Sequence, residues 1–100
     1  MAKQFGDIMP KTMGNFQALM GSVFEESDLD EKTIELITLA FGIAHQCDAC
    51  IDFHIDKLVD LGASENDIAT VVAVAIVMSG GPGSAYGGKA LAAFHDKTSK

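Results

Sequence analysis

The sequence predicts an all-α protein of about five helices, and three observations carry that expectation. Apolar residues recur at three- and four-residue spacing rather than in alternation. Helix-capping residues and glycines divide the chain at regular intervals. Hydrophobic residues make up 48% of the 100 residues, yet no run has the alternating pattern of a half-buried strand. One hundred residues suit one compact domain, a first segment and helix over residues 1–26 followed by a helical core over 27–97. A core of that size buries only part of its chain's surface. The apolar excess therefore predicts that the core continues across a subunit interface in a homo-oligomer.

The elements follow in order. After a mobile start, Pro10 opens a first helix running towards Phe24, with Met13, Phe16, Leu19, Met20 and Phe24 as its apolar positions. Ser27 or Asp28 caps a second helix, with Asp30 and Glu31 in its first turn, where the helix dipole favours negative charge. Leu29, Ile34, Leu36, Ile37, Leu39, Phe41 and Ile43 are its apolar positions. A third helix starts near Cys47 and ends at Leu61, with Gly62 as a left-handed cap. Ser64 caps a fourth, apolar almost all round, that runs to Ser79. Its valines and isoleucines also suit a buried strand, but the cap, the interleaved alanines and the length favour helix. The stretch from Gly80 to Gly83 breaks the chain, and a last helix spans Ser84 to Lys97. That glycine-rich turn lacks the Gly-Lys-Ser/Thr ending of a phosphate loop.

Charge excludes some partners. The net charge is −7, with seven scattered lysines and no arginine, which argues against nucleic acid and against an anionic membrane surface. The longest apolar run, Ile68 to Met78, is shorter than the roughly 20 residues a bilayer span needs. The N-terminal residues lack the apolar stretch of a secretory leader. The expectation is a cytoplasmic protein, where two cysteines three residues apart serve catalysis or metal binding rather than a structural staple.

Projected at 100° per residue, the third helix places Cys47, Cys50, Ile51, His54, Leu58 and Leu61 on one face. Asp48, Asp52, Asp56 and Asp60 fall on the opposite face, pointing away from the sulfurs. A cysteine attacks as its thiolate, so something must lower its pKa or remove its proton. The first turn of the helix offers unpaired amides to both cysteines. His54, one turn beyond Cys50, is placed as a base. No lysine or arginine lies near in sequence; Lys57 is the nearest and projects to the side.

A second helix contributes Glu35, which shares a narrow sector with Thr38, Gly42 and His45. If the chain reverses near His45 and Gln46, Glu35 and His54 both lie roughly 12–15 Å from the turn, at similar height. A carboxylate there orients the imidazole and completes a Glu35–His54–Cys50 proton relay. Plainer readings exist for each residue. The cysteines also suit small core positions, Glu35 alone suits a solvated helix face, His45 suits a helix end, and His95 suits the surface. Cys47, Cys50 and His54 with His45 or Glu35 also make a zinc ligand set, although a second, separated Cys/His pair is missing.

These residues resemble the carboxymuconolactone decarboxylase/AhpD-like (alkylhydroperoxidase D-like) family. The likeness comprises Glu35, eleven intervening residues, Cys47-Asp48-Ala49-Cys50, three more, and His54. It continues through Leu61 to Ile68 and the apolar helix ending in Met78-Ser79-Gly80-Gly81-Pro82, covering the chain from about Ser27 to Phe94. The resemblance implies an all-α fold that assembles as homotrimers or homohexamers, and peroxidase or disulfide-reductase activity without a cofactor. It implies that Cys50 attacks a hydroperoxide, Cys47 resolves the product as a disulfide, and His54 and Glu35 relay protons. A lipoyl-type or thioredoxin-like partner would supply the electrons. Ala49 departs from AhpD itself, which has histidine immediately before the second cysteine. The decarboxylase branch lacks the cysteine pair, so the lactone reaction is not implied.

Overall fold

The computed structural model describes residues 2–99 and is all-helical, with six helices among them. These are α1 (Ala2–Ile8), α2 (Pro10–Glu26), α3 (Glu31–Ala44), α4 (Asp48–Asp60), α5 (Glu65–Ser79) and α6 (Gly81–Thr98). They form two compact units, one ending at Asp30 and the other beginning at Glu31. Met1 and Lys100, the first of which opens the expected N-terminal segment, lie outside the described residues.

In the first unit, the expected mobile start is instead a helix. Residues 2–8 hold nothing that breaks one until Pro10, and the Met9 N–H still reaches Phe5 O at 2.7 Å. Met9 itself leaves the helical region (φ −127°, ψ 65°), because the proline ring that follows disfavours it there. Pro10 then opens α2, where its missing N–H costs nothing. Gly6 in α1 approaches Met13 in α2. The expected apolar positions Phe16, Leu19 and Met20 of α2 are all exposed, as is Val23.

The second unit is a four-helix core, and each helix in it begins or ends for a local reason. α3 starts at Glu31, later than the cap expected at Ser27 or Asp28. Ser27 Oγ accepts the Leu29 N–H at 2.9 Å, which closes a turn and leaves Leu29 outside the helix and exposed. Asp30 accordingly precedes the first helical turn, and Glu31 occupies it. α4 ends in a Schellman turn, with Gly62 at φ +78° and Ala63 N–H on Leu58 O at 2.9 Å. α5 begins with a reciprocal capping box: Ser64 Oγ accepts Asp67 N–H, and Asp67 Oδ2 accepts Ser64 N–H.

The break between α5 and α6 is narrower than expected. Gly80 alone makes the turn, at φ +65°, and α6 already runs from Gly81 because Pro82 fits the first helical turn. Gly83 and Gly87 belong to that helix, where they let α6 lie directly on α5. A Cβ on Gly83 would sit 2.5 Å from Ala75 O, and one on Gly87 2.5 Å from Val72 Cγ1. The pairings Gly83–Ala75 and Gly87–Val72 make the two helices antiparallel.

The core is made by Leu39 and Ile43 of α3, Ile51, Ile55 and Leu58 of α4, Ile68, Val71, Val72 and Ala75 of α5, and Ala90 and Phe94 of α6, with Ala63 between α4 and α5. Burial at three- and four-residue steps on each helix is what the apolar spacing in the sequence encodes.

Candidate active site at the α3–α4 turn

The site is built where α3 ends and α4 begins. α3 closes in a Schellman turn: Gln46 N–H bonds Ile43 O at 3.1 Å, and Cys47 N–H bonds Gly42 O at 3.0 Å. That motif needs one left-handed residue, and Gln46 takes the position at φ +57°, a conformation usually left to glycine. The reversal expected at His45 and Gln46 is therefore present, and it hands the chain directly to the next helix. Cys47 is both the last residue of one turn and the N-cap of α4. Its Sγ accepts the Cys50 N–H at 3.2 Å, as a serine oxygen would.

Cys47 and Cys50 are joined by a disulfide across the first turn of α4. Both are half-buried. One turn further, the His54 imidazole reaches across to α3, where Nδ1 lies 2.6 Å from Glu35 Oε1. Glu35 is only 4% exposed and is the one buried charged residue among those described. The solvated-face reading of Glu35 is thus excluded. A carboxylate only accepts, so Nδ1–H donates and Nε2 carries the free lone pair.

Thr38, in the same sector as Glu35, spends its hydroxyl on Ile34 O at 2.8 Å. His45 is exposed and stacks on Phe41 one turn earlier, with ring centroids 6.0 Å apart. His95 is exposed and pairs with Glu65. Ala49 is exposed at the start of α4. Among the described residues, no three His, Cys, Asp or Glu side chains converge as a metal-holding group.

The aspartates of α4 do line the face away from the core, but three of them are not bare. Lys89 of α6 reaches Asp48 at 2.8 Å, and Lys97 lies 3.2 Å from Asp56 and 3.8 Å from Asp52. The stripe is a charged seam along which α4 and α6 run parallel. The pairing with Asp48 holds the Lys89 ammonium above its ordinary pKa. Neither lysine could be connected to α4 from sequence, since each stands more than forty residues from the aspartates it meets. Gly42 is the other residue whose part is not legible in sequence. It is buried, its carbonyl holds Cys47, and its Cα faces Cys50.

The second unit is thus a four-helix core in which a buried glutamate holds a histidine one helical turn after a Cys-x-x-Cys disulfide. Residues 10–94 match the carboxymuconolactone decarboxylase family, and the chain belongs to it. It is similar to an uncharacterized protein of Cupriavidus necator, 36% identical over 95 residues, covering 92% of this chain and 84% of that one. It is also 36% identical over 77 residues to an uncharacterized protein encoded in the cox locus of Paracoccus denitrificans, covering 77% of this chain and 69% of the relative. Its fold matches the crystal structure of an apo carboxymuconolactone decarboxylase family protein from Legionella pneumophila. The TM-score is 0.90 and the identity 38%, covering 98% of this chain and 87% of the other. No helix among the described residues is long and apolar enough to cross a membrane.

Proposed function

We propose that this protein is a dithiol oxidoreductase of the AhpD-like type, which reduces hydroperoxides or disulfides through Cys47 and Cys50. The observation that carries the reading is the 2.6 Å contact between the buried Glu35 carboxylate and His54, one turn after Cys50. A buried carboxylate is costly unless it is paired, and here its partner is a histidine one helical turn after the cysteine pair.

In the reduced protein, His54 takes the proton of Cys50, and Glu35 stabilises the imidazolium that results. The Cys50 thiolate attacks the outer peroxide oxygen, and the O–O bond breaks. The leaving alkoxide takes a proton to become an alcohol, and Cys50 becomes a sulfenic acid. Cys47 then attacks the Cys50 sulfur and expels water, which closes the disulfide. A lipoyl-type or thioredoxin-like dithiol returns two electrons and restores both thiols.

The same reading places the chain in a homotrimer or homohexamer at work. Support comes from apolar side chains on the outside of the second unit: Ile37 and Phe41 of α3 and Val74, Val77 and Met78 of α5 are exposed, Val77 by 81%. Such a patch marks an interaction surface more often than bare surface.

Steady-state turnover of an organic hydroperoxide with a dithiol reductant tests the assignment. The native protein turns over and Cys50→Ser does not, while Cys47→Ser accumulates a sulfenic acid or a mixed disulfide on Cys50. Equal rates for the native protein and Cys50→Ser would sink it.

A further inference from the structure

We propose that Gly42 is a positioning residue for the Cys47–Cys50 couple, setting its dithiol–disulfide balance by leaving room for Cys50 against α3. The proposal rests on the reading of that pair as redox-active and deepens it.

Gly42 lies in the last turns of α3, within a regular helix, where intrinsic propensity favours alanine over glycine. The α3–α4 approach supplies the reason for glycine. A Cβ built on Gly42 meets Cys50 Cβ at 3.3 Å, closer than such contacts ordinarily come, whereas its next neighbours, Ile51 Cγ1 and Ile51 N, lie at an ordinary 3.7 Å. The crowding is therefore with the cysteine and not with the core. The same residue also holds the other cysteine, through the 3.0 Å hydrogen bond from Cys47 N–H to Gly42 O. One residue thus locates both cysteines, Cys47 through its backbone N–H on the Gly42 carbonyl and Cys50 through the space left at its Cβ.

This double hold makes the effect depend on redox state. With the disulfide closed, Cys50 is tied to Cys47, and Cys47 is tied to the Gly42 carbonyl. An added methyl can then be relieved only by moving the whole first turn of α4. With the thiols separate, Cys50 can yield without dragging Cys47. A methyl at this position therefore penalises the disulfide more than the dithiol.

The test is an equilibrium titration of full-length protein in glutathione buffers, with the dithiol fraction read from the mass added by alkylation. Each turn of the equilibrium breaks the Cys47–Cys50 bond, consumes two glutathione thiols and forms one glutathione disulfide, moving two electrons. Gly42→Ala is expected to shift the equilibrium constant about tenfold towards the dithiol. Two controls accompany it. Gly88→Ala, which adds a methyl in open space, should leave the constant where it was. Val72→Ala, a core truncation on α5, should lower the melting temperature without moving the constant.

A Gly42→Ala variant that melts lower but keeps the native constant overturns the proposal, since that is what a purely structural glycine does. If Gly42→Ala does not fold as the oxidised protein, its folding is read again in excess dithiol. A fold that returns only in the reduced form supports the proposal, and failure to fold in both states overturns it. The titration uses no peroxide, so a native protein that equilibrates with glutathione yet ignores hydroperoxides counts against peroxidase activity and leaves the Gly42 result standing.

Discussion

His54 Nδ1 lies 2.6 Å from Glu35 Oε1, joining side chains nineteen residues apart across the α3–α4 pair. Their side chains are 13% and 6% exposed, so the contact is made mostly out of water, where a charge-assisted hydrogen bond counts for more. It fixes the ring and leaves Nε2 free on the side away from Glu35.

Glu35→Gln keeps the volume and an acceptor oxygen but removes the charge that stabilises the imidazolium. Hydroperoxide turnover should fall about 10²-fold with little change in melting temperature. Glu35→Ala should lose the same activity and also about 1–3 kcal/mol of stability, because the His54 N–H is left without its partner. Kinetics and chemical denaturation on the two variants separate the electrostatic role from the structural one.

The α5–α6 contact depends on small residues. Gly83→Ala drives a methyl into the Ala75 carbonyl, which is backbone and cannot step aside, and should cost about 1–3 kcal/mol or more. Gly87→Ala first meets the Val72 side chain, which can give way. Its cost should shrink in the Val72→Ala background, a coupling that denaturant midpoints of the four proteins would reveal.

Gln46 holds a left-handed conformation at φ +57°. Gln46→Gly should raise stability by about 1 kcal/mol, since glycine adopts that conformation without the Cβ penalty. Gln46→Val should lower it, and thermal melts of both variants check the sign.

Asp67 carries an acid-sensitive contribution. The Ser64 backbone N–H, and then Lys32, hold its carboxyl below the ordinary value of 3.8. Because the folded pKa is the lower one, this stabilisation is present above the unfolded value and is lost as pH falls through the folded pKa. Native stability should thus decline more steeply below pH 3.8 than that of Asp67→Asn, measured by denaturation at a series of pH values.

Much of this was legible in the sequence because the signals were local. Ser64, Gly62 and Pro10 mark helix ends by chemistry that acts within one turn, and all three do so in the structure. The meeting of Glu35 and His54 was legible because one short reversal fixes the height of both residues. The start of α3 was misplaced because Ser27 serves a turn as readily as a helix cap. α1 was missed because its seven residues are too few for Phe5 and Ile8 to establish a helical spacing. Lys89 and Lys97 meet the α4 aspartates only through the packing of α6, and no local pattern reports that. Gly42 was visible as a residue but not as a close approach, since a missing side chain leaves no trace in an apolar pattern.

The central claim is that Cys50 and Cys47 act together as the redox centre. It is tested most directly by adding limiting organic hydroperoxide to fully reduced protein and counting alkylatable thiols by mass. Each peroxide consumed should remove both thiols of one chain as a Cys47–Cys50 disulfide, and Cys50→Ser should consume none. Peroxide consumed while both thiols remain, or consumed equally by Cys50→Ser, would contradict it.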